Sequence, residues 1–144
     1  MNHLVRIKRI PPSMTEDELK ETLSRVIDLL SKYLEGYVPK RPGLTKHSVM
    51  GPVGKLISAM EASRFNSEEG YLGYTVNVHE NTGISPPSKE GIAKLREAVS
   101  LLLELKSKVG ISRWPKILRE IDYAVYFNKM MWIKERAKAK EEGE

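Results

Sequence analysis

The residues whose type and spacing could do chemistry in this chain are its cations. Arg6, Lys8 and Arg9 precede the first acid, Glu16. Lys40, Arg41, Lys46 and Lys55 fall in an acid-free run between Glu35 and Glu61, and Lys106, Lys108, Arg113, Lys116 and Arg119 in another between Glu104 and Glu120. Lys129, Lys134, Arg136, Lys138 and Lys140 follow, interrupted only by Glu135. The formal net charge is +5, but its grouping into four zones says more than its size. Separated clusters of ammonium and guanidinium groups are suited to neutralising the phosphates of a polyanion. The plainer reading is a set of solvated, Lys-rich helix faces. On the first reading the expected phosphate contacts are Arg6, Lys8, Arg9, Lys40, Arg41, Lys46, Arg113, Lys116, Lys134, Arg136 and Lys138.

Other chemistry finds little support in the residues. The three histidines, His3, His47 and His79, are widely spaced; His79 beside Glu80 could form an acid–base or metal-binding pair, but no ligand set gathers around it. Glu68 and Glu69 are adjacent carboxylates in a polar stretch, where a solvated turn accounts for them. The sequence has no Gly-rich phosphate loop, HExxH, GxSxG or Cys/His metal spacing. With no cysteine, disulfides and thiol chemistry are excluded. No catalytic residue, metal ligand or cofactor is assigned, and a non-enzymatic protein is expected.

The elements that must position these cations are mostly helical. Residues 1–14 alternate Val5 and Ile7 with Arg6 and Lys8 before Pro11 and Pro12, which reads as a basic extended arm or an edge strand. Thr15 and Glu18 form a capping box, and Leu19, Leu23, Val26, Ile27, Leu30 and Leu34 recur with helical period up to Gly36. The stretch 37–47 is a proline- and glycine-containing loop. A second helix is expected over about 52–65, started by Pro52, with Val53, Leu56, Ile57 and Met60 inward. Residues 71–79, YLGYTVNVH, place Leu72, Tyr74, Val76 and Val78 on one side as a strand would, so a small β-like excursion is expected there. A third helix spans about 88–109, and a fourth runs from an N-cap at Ser112 to about residue 142. Trp114, flanked by Arg113 and Lys116, is either a packing anchor or a base-stacking ring.

The fourth helix contains YAVYFNKMMWI, residues 123–133, in which nine of eleven residues are apolar or aromatic. The first three helices each have an apolar face, and together they can cover one side of this helix but not all of it. Tyr126, Phe127, Met130, Met131 and Trp132 are therefore expected to meet another subunit. The sequence thus predicts a mainly α fold: a four-helix bundle-like domain over 15–144, with a basic arm over 1–14 and a β-like loop near 71–79. One domain is the default for 144 residues. No apolar run is long enough for a membrane span, and no signal peptide is recognised. Glutamine is absent while Lys and Glu are abundant, a composition seen in hyperthermophile proteins. That points to an archaeal or archaeal-virus source.

Two resemblances add to this. LVRIKRIPPSMTEDELKETLSRV resembles the first strand and helix of an RNA-recognition motif, and EGYLGYTVNVHE resembles that family's central aromatic strand. The likeness implies stacking roles for Tyr71 and Tyr74. In its layout, a basic proline-punctuated arm leading into a helical bundle, the chain is similar to the major coat proteins of archaeal filamentous viruses. That implies helical dimers wrapping double-stranded DNA. The expected function is a structural protein that oligomerises and coats nucleic acid through sequence-independent phosphate contacts. Its partners would be nucleic acid, double-stranded DNA before RNA, and its own or a homologous subunit. The alternatives are an RNA-binding module, a helical subunit of a ribonucleoprotein, and a protein-only adaptor docking through the last helix.

Overall fold

Among the described residues there are five helices, and a side-chain cap starts four of them. The computed structural model describes residues 14–41, 43 and 45–143; the expected N-terminal arm, with Arg6, Lys8 and Arg9, lies outside the described residues. Helix α1 is Glu16–Glu35, and it begins as its sequence predicts. Thr15 Oγ1 accepts from the Glu18 N–H at 3.1 Å, and Glu18 Oε1 accepts from the Thr15 N–H at 2.9 Å. Glu16, Asp17 and Glu18 face the positive end of the helix dipole. Helix α4, Lys89–Lys108, starts in the same way, with Ser88 Oγ accepting from the Gly91 N–H at 3.0 Å.

Helix α2 is Lys46–Glu61, earlier at both ends than the expected 52–65. Thr45 caps its first turn, accepting from the Ser48 N–H at 3.2 Å. The helix breaks at Gly51 (φ 48°, ψ −126°) and restarts at Pro52, whose missing N–H costs nothing at a helix start. The expected start at Pro52 thus corresponds to the second of two segments. Its end comes at Glu61 because Ala62 caps it and Ser63 turns to φ 50°.

The expected β-like excursion at 71–79 is a helix. Helix α3, Glu68–Thr82, is capped by Ser67, which accepts from the Gly70 N–H at 3.0 Å. Alternation groups Leu72, Tyr74, Val76 and Val78, but the buried set is Tyr71, Leu72, Thr75 and His79, which is a helical face. The β-branched residues adapt by bonding back along the helix: Thr75 Oγ1 donates to the Tyr71 carbonyl at 2.8 Å and Thr82 Oγ1 to the Val78 carbonyl at 2.7 Å. Tertiary burial and a good cap outweigh β propensity here. The fold therefore has five helices rather than four, and no strand among the described residues.

Helix α5, Trp114–Glu142, is the longest. Ser112 is not its cap. Residues 111–113 turn tightly, with the N–H groups of Arg113 and Trp114 both donating to the Gly110 carbonyl, and Arg113 takes the cap position without a side-chain bond. Trp114 is buried, 6% exposed, and serves as the packing anchor.

The helices form a closed cycle of neighbours in the order α4, α1, α5, α2, α3 and back to α4. Leu30, Leu34, Leu56, Met60, Tyr71, Leu95, Leu102, Leu118 and Ile121 fill the centre, each under 2% exposed. Exposed ion pairs tie the rims, Arg25 to Glu97 between α1 and α4 and Arg96 to Glu69 between α4 and α3; solvent screens both, so they add little to stability. No helix among the described residues is long and apolar enough to cross a membrane.

Candidate nucleic-acid interface

The segment after α1 is fastened to the end of α3. The Lys40 N–H donates to the Thr82 carbonyl at 2.8 Å, the Ile84 N–H to the Val38 carbonyl at 2.9 Å, and Tyr37 Oη to Thr82 Oγ1 at 2.9 Å. Between this segment, the break in α2 and the last turns of α3 lies a cleft of about 500 Å³. Lys40, Arg41, His47 and Lys55 line it with Ser48, Asn81 and Thr82, over a floor that includes Tyr37, Pro39 and Val78. None of its lining residues among the described ones is acidic. Lys40 Nζ donates to the Asn81 carbonyl at 3.2 Å, and Arg41 and Lys55 meet no carboxylate among the described residues. Ser48 Oγ is shut off from solvent and has no hydrogen-bond partner among the described residues. Like-sign groups with low-dielectric walls focus their potential on the gap, which raises the local concentration of anions.

Tyr37 and Pro39 are shared with a second, apolar recess of about 430 Å³, walled by Val38, Val49, Trp132 and Ile133 and reached by Lys129. Arg136 lies over the Trp132 ring at 5.1 Å, and Lys129 Nζ lies 4.4 Å from the same ring. One strip of surface thus runs from Lys55 through Arg41 and Lys40, past Tyr37 and Pro39, to Trp132 and Arg136. Across the cycle, the groove between α1 and α4 has the opposite character: Glu18, Glu21, Asp28, Glu97 and Glu104 outnumber Lys20, Arg25 and Lys108.

The expected contacts divide accordingly. Lys40 and Arg41 come together at the cleft, and Arg136 lies over Trp132 at the neighbouring recess. Lys116, Lys134 and Lys138 are exposed on α5. Lys46 is ion-paired with Asp122 and lies over Tyr123 and Tyr126, and Arg113 holds Glu16 through two bonds of 3.1 and 3.2 Å. That pairing keeps the Glu16 carboxyl below its ordinary range. His47 and Lys55 complete the cleft although neither was among the expected contacts. The acid-free run that contains them was the available signal.

Tyr71 is fully buried, and its hydroxyl accepts from the Phe65 N–H at 3.2 Å, so no ring is presented for stacking at this position. Tyr74 packs against Phe65 beneath Arg64. His79 is not a surface group beside Glu80. It is 1% exposed, between the rings of Tyr33 and Tyr37, with Nδ1 2.6 Å from Tyr33 Oη. Burial pushes its imidazole below the ordinary histidine range.

Of the expected subunit contacts, Phe127 (64% exposed) and Met131 (41%) face outward. Met130 is half-buried, Tyr126 packs against the core, and Trp132 turns toward the strip. Tyr123, 69% exposed, joins Phe127 and Met131 and was missed; its four-residue spacing from Phe127 was the sign.

Lys129 is buried where an apolar residue would be routine. Its Nζ donates to the Leu34 carbonyl at 2.6 Å and the Tyr37 carbonyl at 3.2 Å, closing the end of α1, where a cation also complements the helix dipole. Burial pushes its ammonium down to about 8 from 10.5. Above pH 8 the folded chain therefore releases a proton that the unfolded chain retains, so stability rises with pH. Burial pushes the Tyr33 hydroxyl up, and this opposes the trend above about pH 10. Urea unfolding should show a gain of about 2 kcal/mol between pH 8 and 10. In Lys129→Met that rise should disappear, and an undiminished rise there would show that another group causes it.

Comparison of the chain with protein-family models, with curated proteins and with solved structures gives no match.

Proposed function

We propose that the protein is a non-enzymatic structural protein that binds nucleic acid through its phosphates and coats it as an oligomer. The observation that carries this reading is the acid-free cleft of Lys40, Arg41, His47 and Lys55, continued by Trp132 and Arg136. A polyanion gains at each of these groups without any base being read, so binding is governed by counterion release and is indifferent to sequence. The exposed line Tyr123, Phe127 and Met131 supports the self-association half. Duplex DNA is the favoured ligand, with RNA as the competing outcome.

Titration of duplexes of unrelated sequence at 50 and 200 mM salt is the direct test. Similar affinities for all sequences, falling by about two orders of magnitude or more over that interval, are expected if four to six phosphates are engaged. Absence of binding at the lower salt would remove the nucleic-acid reading, and a strong preference for single-stranded RNA would replace the ligand class.

A further inference from the structure

We infer that α5 pairs with α5 of a second copy of this chain, antiparallel, about a two-fold axis at Phe127. The inference rests on the self-association half of the proposed function and not on DNA contact. On the inner side of α5, Ile121, Val125 and Lys129 are buried, while Tyr123, Phe127 and Met131 stand one turn apart along the outer side. Three large exposed apolar side chains in line, touched among the described residues only by Lys46 of α2 at the Tyr123 end, form a contiguous patch rather than scattered exposure.

The order of charges along that face selects the occupant. Glu120 lies seven residues before Phe127 and Lys134 seven after it, which is two turns either way on the same outer line. Both are exposed, and neither is ion-paired among the described residues. Antiparallel pairing centred on Phe127 brings Glu120 level with Lys134 of the second copy, and the symmetry makes this ion pair twice. Tyr123 comes level with Met131 of the second copy, and Phe127 meets its own counterpart. A parallel, in-register pair would instead stack Glu120 on Glu120 and Lys134 on Lys134. The face is therefore self-complementary in one direction only, as an isologous interface requires. Lys116 and Lys138 also come level, but about 16 Å from the axis, where helices crossing at their usual angle have begun to diverge.

The chain contains no cysteine, so a single introduced thiol reports its own neighbourhood. In DNA-free buffer, mild oxidation of Phe127→Cys should give mostly covalent dimer. Tyr123→Cys should give little, because its counterpart lies eight residues along the seam, about 12 Å away and beyond disulfide reach of roughly 4.4–6.8 Å between Cα atoms. An equal mixture of Tyr123→Cys and Met131→Cys should cross-link to each other. In sedimentation equilibrium, Glu120→Lys or Lys134→Glu alone should raise the dimer dissociation constant roughly tenfold or more, and the double reversal should restore it. Rescue cannot arise within one helix, where the two residues are about 21 Å apart. All these positions are exposed, so the variants should fold, and circular dichroism checks that they do. A monomeric wild-type chain, equal cross-linking at 123 and 127, or no rescue would overturn the inference. DNA titration of the same samples separates the two failures: a monomer that binds DNA refutes the seam alone, and a dimer that ignores DNA refutes the nucleic-acid reading alone.

Discussion

Replacing Lys40, Arg41 and Lys55 together by alanine is expected to weaken duplex binding roughly a hundredfold at low salt. Each side chain is exposed at the cleft, where one charge-assisted phosphate contact is worth about 1 kcal/mol, and three of them make about two decades of affinity. The salt dependence should change with it, the slope of log K against log salt becoming shallower by about 2.7 if all three contacts are real. The comparison that gives this meaning is Lys20, Lys32 and Lys89 to alanine. These three are also exposed and reduce the net charge equally, but they sit on α1 and at the start of α4, and none of them lines the cleft. If general electropositivity drives binding, both triple variants lose affinity together. If the cleft is the site, the second keeps most of its affinity. Neither set makes buried contacts, so the unfolding free energy should stay within about 0.5 kcal/mol of the parent.

The cleft was half visible in the sequence. An acid-free run containing Lys40, Arg41, Lys46 and Lys55 can be read directly, but which of those cations are paired cannot. Lys46 finds Asp122, 76 positions away, and Arg113 finds Glu16, 97 away; only the closed cycle of helices brings these partners together. The elements were legible where local chemistry decides them. Thr15 with Glu18, Ser88, and the apolar periods of α1 and α4 specify those helices almost to the residue. Helix α3 was hidden because its apolar face is short, its interior contains Gly70 and Gly73, and Tyr74, Val76 and Val78 alternate as a strand does. What makes it helical is the burial of Tyr71, Thr75 and His79 against neighbouring helices, together with the Ser67 cap. Helix α5 lies between these cases. Its excess of apolar residues signals more than one contact, but which residues face outward depends on its rotation in the bundle. That rotation hides Tyr126 and exposes Tyr123.

Gly51→Ala is expected to be among the most damaging single substitutions in the chain, by about 4 kcal/mol. Two costs coincide. The backbone at Gly51 has φ 48° and ψ −126°, which side chains with a Cβ rarely adopt. In addition, the new Cβ would stand 2.3 Å from Cε2 of Tyr37 and 2.6 Å from Cζ, inside the ring's van der Waals surface. Tyr37 has little room to retreat. It is 3% exposed, its hydroxyl is bonded to Thr82, and its ring packs edge-on against His79. At this chain length the loss corresponds to a melting temperature lower by roughly 10 to 15 °C. Gly73 provides the contrast, since it lies within α3 with open space for the first 4 Å around the Cβ that an alanine would bring, and Gly73→Ala should stabilise by about 0.5 to 1 kcal/mol. Opposite signs for the same chemical change would locate the cost in the break of α2 rather than in glycine content. Tyr37 and Gly51 both line the basic cleft, so a folded Gly51→Ala chain at low temperature should also bind duplex DNA less tightly. Parent-like stability in Gly51→Ala would mean that α2 runs without the break, and the cleft would then lack the wall that Gly51 and Tyr37 form.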